Sequence, residues 1–401
     1  MCLPDKRIAM LSAHIPPYYS GAGKRALNQA KYLVQLGYEV VFITTTPNEE
    51  KMPGLDMVTI RLPAVYETAT PAGALCRQSY HPVLFFKLLV VLARKKVRLI
   101  HCIPAFSWFA FNAVLAAKIL GIKILTEITL DGTDDPVTLK NRKAGRAKLL
   151  VFKLSDGIIN ISPLLVSRCK EVGISEDKIH LIPNSVNTER FAPLTPNAKK
   201  DLRIILGLER FEQLLVYVGV IRPRKRVAEL ISIFKTVKAE FKESGIILCG
   251  PYAKDDESRD YFRLVKDMIK EENLKESVIF TGEVANVDQW MKAGDLFVFA
   301  SEREGFGTVL VEAMSTGLPV VAMHIAQITD YILGKNNKSG IIVNTAEDFS
   351  RAIIDLLGDQ SRYHEISHAA RERATSYFSE EVVMDKYTNI YSKYLNDQKE
   401  I

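Results

Sequence analysis

Between residues 214 and 322 one pattern recurs: a short apolar run ends at a glycine or a loop, and helical spacing follows. Leu214–Val218 stops at Gly219 and leads to a helix over Ala228–Val237. Ile246–Cys249 stops at Gly250, and Val278–Thr281 stops at Gly282. Leu296–Ala300 runs into a loop before a helix over Thr308–Ser315, and Gly317-Leu318-Pro319 then precedes the strand Val320–Ala322. Strands separated by helices imply a parallel α/β sheet, with ligand sites at the carboxyl ends of the strands.

The N-terminal half alternates in the same way. Ile8–Leu11 is a strand, and Lys24–Leu36 has helical spacing with Ala26, Leu27, Ala30, Leu33 and Val34 on one face. Gly37 stops that helix and Val40–Thr44 is the next β-rich run. Leu99–Ile103, a helix around Phe111–Leu120 and Ile122–Leu125 continue the series. The Pro- and polar-containing stretch Ala192–Lys200 is the best linker candidate. With 401 residues the chain can bury two cores, so two α/β domains are expected.

Several function classes fall away on composition. No apolar run reaches the roughly 18 residues of a membrane span; the longest, Pro82–Ala93, contains Lys87. The first ten residues are too short for a signal peptide's apolar region. Five scattered cysteines suggest neither a disulfide framework nor a zinc knuckle, which makes the cytoplasm the expected compartment. Residues 1–190 hold 25 basic against 15 acidic side chains, and the rest 28 against 32. The excess clusters in Arg94–Arg98 and Lys140–Lys153, which suits an anionic membrane surface or an anionic acceptor. The clusters lack interleaved aromatics, so nucleic acid is not expected.

The sharpest motif runs from Ser301 to Met314, between an apolar strand and a helix. Glycines at 305 and 307 let backbone approach a ligand, and a helix starting near Thr308 offers unpaired N–H groups to an anion. Glu304 lies in the loop and Glu312 within the helix, placed to reach different hydroxyls of one extended ligand. A second motif, Gly219 to Arg226, holds Arg222, Arg224 and Lys225 at a strand end, where cations can neutralise a diphosphate.

The doubled glutamate, with Gly294-Asp295-Leu296-Phe297-Val298 before it and Gly317-Leu318-Pro319-Val320-Val321 after it, resembles the E-x7-E signature of retaining glycosyltransferases of family 4. The resemblance covers most of the chain and implies the α/β GT-B fold, two Rossmann-like domains facing across a cleft. It implies an acceptor-side domain over residues 1–193, joined by a C-terminal helix (376–401, with Glu380–Leu395 crossing back), and a donor domain over 194–375. Glu304 would lie at the donor sugar, with the amides of Phe306 and Gly307 beside it. Glu312 would hold ribose hydroxyls and Thr308 would face the diphosphate. Pro16 to Gly23 looks like the family's glycine loop, which would bring Gly21 and Ala22 to the donor phosphate. Asn184-Ser185-Val186-Asn187, with Phe191 and Pro193, looks like the stretch at the domain junction.

Two positions depart from the family. Val220 stands where relatives have arginine; Arg222 or Arg224 could replace it beside Lys225, and Arg222 is favoured because the strand exit should aim it at the ligand. Ile128 stands where many relatives have a sugar-contacting histidine, leaving Glu127, Asp131 and His14 as candidates for a sugar contact; His101 is also near.

Three other motif matches are set aside. Gly21-x-Gly23-x-x-Ala26 fits a dinucleotide fingerprint, but its loop is too long and Thr44-Thr45-Thr46 stands where an acid is needed. Gly23-Lys24 lacks the rest of a P-loop. His364-Glu365-Ile366-Ser367-His368 fits a zinc signature but sits in a polar helix without an obvious third ligand. No metal and no cofactor are expected. The reading is a metal-independent transfer, with retention, from a nucleotide-diphosphate-sugar, a UDP-sugar favoured and a GDP-sugar the alternative. The acceptor would be lipid-linked or otherwise anionic. Lys225, Arg222 and Glu304 are the expected catalytic groups. A nucleotide-sugar epimerase and a non-catalytic donor-binding subunit are the competing readings.

Overall fold

The computed structural model describes residues 6–16, 21–47, 52–63, 71–132, 135–142, 145–252 and 255–396. Part of the glycine loop, residues 17–20, and part of the Lys140–Lys153 cluster, residues 143–144, lie outside the described residues.

The strands are β1 (Arg7–Leu11), β2 (Glu39–Thr44), β3 (Leu55–Thr59), β4 (Leu99–Cys102), β5 (Lys123–Ile128), β6 (Gly157–Asn160), β7 (Ile179–Leu181), β8 (Gln213–Val218), β9 (Ser244–Cys249), β10 (Val278–Gly282), β11 (Leu296–Phe299), β12 (Val320–Met323) and β13 (Ile341–Val343). The helices are α1 (Gly21–Gln35), α2 (Pro71–Arg94), α3 (Trp108–Leu120), α4 (Pro136–Lys140), α5 (Gly145–Phe152), α6 (Pro163–Glu171), α7 (Pro196–Ile205), α8 (Val227–Glu240), α9 (Asp256–Glu271), α10 (Val287–Ala293), α11 (Thr308–Ser315), α12 (Thr329–Leu333), α13 (Ala346–Gly358), α14 (Gln360–Phe378) and α15 (Glu380–Asn396).

By contacts the chain divides into two compact units, residues 1–183 with 384–401, and residues 184–383. The first holds a seven-stranded sheet of order β3-β2-β1-β4-β5-β6-β7, the second a six-stranded sheet of order β10-β9-β8-β11-β12-β13. Every pairing in both is parallel. In each sheet the order runs outward from the first strand in both directions. The reversals fall between β1 and β4 and between β8 and β11, and loops leaving those strands diverge to open a crevice.

The apolar runs form strands because helices cover both faces of each sheet. In the first unit Leu84, Leu88 and Leu92 of α2, one residue per turn, bury against Ala9, Leu11, Val41 and Ile100. In the second, Leu230, Ile231 and Phe234 of α8 pack on Leu215, Leu248 and Leu296. From Met384 onward α15 belongs to the first unit, where the Tyr394 hydroxyl donates to the Asp156 carbonyl at 3.1 Å. A Cβ on Gly157 would stand 2.6 Å from that hydroxyl, so the glycine makes room for the helix.

Ala192–Lys200 is not a free linker. Thr195 caps α7 by accepting from the Ala198 N–H, and Pro196 takes the first helical position, where its missing N–H costs nothing. The division between units falls ten residues earlier than 193, at Pro183 and Asn184.

Candidate functional site

In the second unit two loops meet at the strand-order reversal. The β8 exit passes through Gly219, whose N–H donates to the Cys249 carbonyl at 2.9 Å. Gly250, leaving β9 with φ 138°, lies so close that a Cβ there would stand 2.3 Å from the Gly219 carbonyl oxygen. No side chain fits between the two backbones. Residues Pro223–Lys225 then wind one 3-10 turn, which ends at Arg226 in the left-handed region, φ 54°. The β11 exit returns alongside, and the Glu302 N–H donates to the Arg224 carbonyl at 2.9 Å.

These loops bring a carboxylate and three cations together. Lys225 Nζ donates to Glu304 Oε1, and Arg224 Nη1 lies 3.4 Å from the same oxygen while donating to the Arg303 carbonyl at 2.8 Å. Both members of the lysine–glutamate pair are buried. Burial pushes the Lys225 pKa down; Glu304 opposes this, while Arg224 and then Arg222 add to it. Arg222 therefore lies within electrostatic reach, but its guanidinium turns to Asp255 Oδ2 at 3.7 Å and its Nε is buried without a protein partner. Of the two arginines weighed for the Val220 departure, it is Arg224, not Arg222, that the structure sets against Glu304. The 3-10 turn is the reason: it swings residue 224 back beneath the β11 loop.

Gly307 is the N-cap of α11 with φ 95° and ψ 52°, and no side chain caps the helix. A polar group brought to this end meets the first-turn N–H groups. Phe306 anchors the approach: it is 2% exposed, with its ring 5.9 Å from Phe378 and 6.5 Å from Tyr331. Thr308 Oγ1 accepts from Asn184 Nδ2 at 2.8 Å, and Ser315 Oγ donates to the Phe191 carbonyl at 3.0 Å. Arg371 also donates to Phe191 and Ser315 carbonyls, so α11 is clamped at both ends by the 184–191 segment. Glu312, half-buried, is one turn beyond Thr308 on the same helix face. The contacts of Asn184 and Arg224 were missing from the sequence reading, although both residues stand inside motifs it singled out.

The first-unit candidates are arranged differently. Glu127 cannot contact a sugar, because it has no exposed surface. It ion-pairs with Arg25 of α1, accepts from the Tyr387 hydroxyl at 2.8 Å, and stands 3.2 Å from His101 Nε2. Burial alone would raise its pKa; Arg25, then His101 and Tyr387, outweigh that and hold it below the ordinary value. Tyr391 bridges His101 Nδ1 at 2.7 Å and Gln29 Nε2 at 3.0 Å, so this cluster ties α1 and α15 to the sheet. Asp131 is 7% exposed and accepts from Arg168 at 3.0 Å, and Ile128 is wholly buried. His14 is exposed after β1, beside the reversal. Gly21 and Ala22 open α1, and a Cβ on Gly21 would meet nothing within 4 Å. His364 and His368 lie exposed on α14. Among the described residues no three His, Cys, Asp or Glu side chains could together hold a metal ion.

Two family descriptions match in succession. "Glycosyltransferase Family 4" matches residues 19–190 and "Glycosyl transferases group 1" matches residues 199–373. The chain belongs to glycosyltransferase family 4. The N-acetyl-alpha-D-glucosaminyl L-malate synthase of Bacillus anthracis is 25% identical over 397 residues, covering 96% of each chain. The sulfoquinovosyl transferase SQD2 of Arabidopsis thaliana is 26% identical over 390 residues, 93% of this chain and 71% of the relative. A glycosyltransferase from Rickettsia africae ESF-5 has the same fold, with a TM-score of 0.78 over 98% of this chain and 99% of that one at 18% identity. The Anabaena protein HepE, solved with UDP, gives 0.77 over 96% and 100%, also at 18% identity. This glycosyltransferase thus has the GT-B fold, and its E-x7-E segment lies at the strand-order reversal of its second sheet.

Proposed function

We propose that this glycosyltransferase transfers a sugar with retention from a nucleotide-diphosphate-sugar to an acceptor hydroxyl, without a divalent metal or cofactor. A UDP-sugar is the favoured donor and a GDP-sugar the alternative. The observation that carries the reading is the pairing of Lys225 and Arg224 with Glu304, with Arg222 in electrostatic reach of Lys225, a few residues before the open end of α11. Negative charge grows on the diphosphate as the glycosidic bond breaks. Cations already held in place by buried partners stabilise that charge without reorganising. Lys225 and Arg224 would neutralise the leaving group, with Arg222, whose Nε has no protein partner, as a third donor. Phe306, Gly307 and Thr308 would present N–H groups to phosphate oxygens, and Glu312 would accept from ribose hydroxyls. Glu304 is already engaged by two cations, which suits a role in fixing them and the sugar better than one as a nucleophile. Front-face departure and attack would then account for retention.

The relatives support an anionic acceptor: one is an N-acetyl-alpha-D-glucosaminyl L-malate synthase, and a Saccharomyces cerevisiae relative, 27% identical over 338 residues, is a phosphatidylinositol N-acetylglucosaminyltransferase subunit. HepE has been solved with UDP-glucose. The enzyme would work in the cytoplasm, at the inner face of a membrane. Among the described residues no helix is long and apolar enough to cross one. Helix α2, however, exposes Val83, Phe86 and Val90 along one stripe next to Arg94 and Lys96.

The test is release of free sugar and nucleotide from UDP-glucose, UDP-N-acetylglucosamine and GDP-mannose in EDTA. Release from one of them supports metal-independent transfer. No release from any, with donor binding intact, points to the non-catalytic subunit; a changed sugar in recovered donor points to the epimerase.

A further inference from the structure

In the first unit the β4 exit also borders a strand-order reversal, and there the chain builds a recess. Ala105, Phe106 and Ser107 of the exit loop, Phe111 and Val114 of α3, and Lys148, Val151 and Phe152 of α5 line a shallow groove open to solvent, whose enclosed part is about 10 Å3, the room of a single water. Ser107 fixes the mouth by capping α3, accepting from the Ala110 N–H at 3.0 Å. Phe106 and Phe152 pack at 4.3 Å between ring centroids. The lining is apolar except for that serine and one cation.

That cation has an unusual setting. Lys148 Nζ lies 3.8 Å from the centre of the Trp108 ring, and no carboxylate among the described residues acts on it. Burial lowers its pKa, and its charged neighbour is another cation, Arg142. His81 stacks on Trp108 at 4.1 Å. Asn112 Nδ2 donates to the Trp108 carbonyl at 2.8 Å and faces His81 Nδ1 at 3.5 Å. His81 Nε2 is buried without a hydrogen-bond partner among the described residues. Burial, then Lys148, keeps the His81 pKa low and the ring neutral. A half-buried ammonium with an aromatic face and one other cation near it is costly until an anion arrives.

We propose that this recess is the acceptor subsite, in which Lys148 takes the anionic group of an acceptor whose adjoining apolar segment lies against Phe106, Phe111, Val114, Val151 and Phe152. The enclosed part has room for one water only, so the apolar segment lies along the open groove rather than inside it. This rests on the transfer reading above.

Calorimetry on the whole enzyme tests it, with octyl phosphate, octanol and inorganic phosphate as probes and UDP-glucose as a separate check on the donor site. Octyl phosphate should bind on the order of tenfold tighter than octanol or inorganic phosphate, the advantage of one charge-assisted contact added to apolar burial. In Lys148→Met, which keeps the stem and removes the charge, octyl phosphate should fall to the level of octanol while UDP-glucose binds as before. Equal binding of octyl phosphate and octanol by the unaltered enzyme would overturn the subsite, as would a preference that survives in Lys148→Met. A donor that binds while octyl phosphate does not would remove the subsite and leave the donor reading standing; loss of donor binding alone would do the reverse.

Discussion

Lys225 and Glu304 lie 79 positions apart in the chain and share a buried ion pair at the carboxyl ends of two neighbouring strands. Neither charge would rest there comfortably alone. Their pairing fixes a cation on the loop that leads into α11 before any substrate arrives.

Lys225→Ala should lower turnover by a factor on the order of 10² or more, since one preorganised cation is lost from the leaving group. Arg224→Ala should cost more than Arg222→Ala, because only Arg224 shares Glu304 Oε1 with the lysine. Steady-state kinetics on the three variants, with melting curves to exclude unfolding, check this. A larger loss from Arg222→Ala would assign the leaving group to that side chain instead.

Glu312→Gln should weaken donor binding by about 1–3 kcal/mol through loss of charge-assisted hydrogen bonds. Its fold should survive, because Glu312 is only half-buried on α11. Calorimetry with the preferred nucleotide-sugar gives the number, and an unchanged affinity would remove the ribose assignment.

Acidification should weaken the Glu127 cluster. The Glu127 pKa is held down in the folded chain, so the unfolded chain binds its proton at a higher pH. Its contribution is complete above the unfolded carboxylate value of about 4.3 and fades as pH falls through the lower folded value. Glu127→Gln, which leaves a half-buried Arg25 without its carboxylate, should cost about 3 kcal/mol at neutral pH. That gap should narrow below pH 4. Urea titrations of both proteins across that range test the sign, and a gap that widens on acidification would contradict it.

Phe86→Asp, and Arg94→Ser with Lys96→Ser, should each reduce cosedimentation with anionic vesicles. Phe86 is 61% exposed on α2, and each cation near an anionic surface is worth about 1 kcal/mol. Lys95 is already paired with Asp56 at 2.5 Å, so changing it should matter less. Added salt should weaken binding of the unaltered enzyme, over a Debye length of about 8–10 Å. Equal partitioning to neutral vesicles would leave the stripe an ordinary surface.

The second sheet could be read from the sequence because its strands end where backbones touch. Gly219 and Gly250 mark those ends in the chain itself, and the E-x7-E segment follows the same rule. Strand β3 escaped notice because it is a half-exposed edge strand carrying Asp56, without a clean apolar run. Helix α7 was mistaken for a linker because Pro196 breaks a helix interior but suits a helix start. The choice between Arg222 and Arg224 depends on one 3-10 turn, whose rotation no spacing reveals. Glu127 looked available because its partners are remote: Arg25 lies 102 positions before it and Tyr387 lies 260 after. The family's departures at Val220 and Ile128 were visible, but what surrounds them was not.

The split of the first unit between residues 1–183 and 384–401 sets an order of events on the ribosome. At about 5–20 residues per second, roughly 10–40 s separate the emergence of β7 from that of Tyr387 and Tyr391. During that interval Glu127, His101 and Gln29 have no tyrosine hydroxyls to meet, while the second unit is made in one piece and is complete four residues ahead of Tyr387. The N-terminal half should therefore be the later of the two to become protease-resistant. Limited proteolysis of released chains ending at residue 383 and at residue 401 would reveal that inversion as cleavage confined to the first unit in the shorter chain.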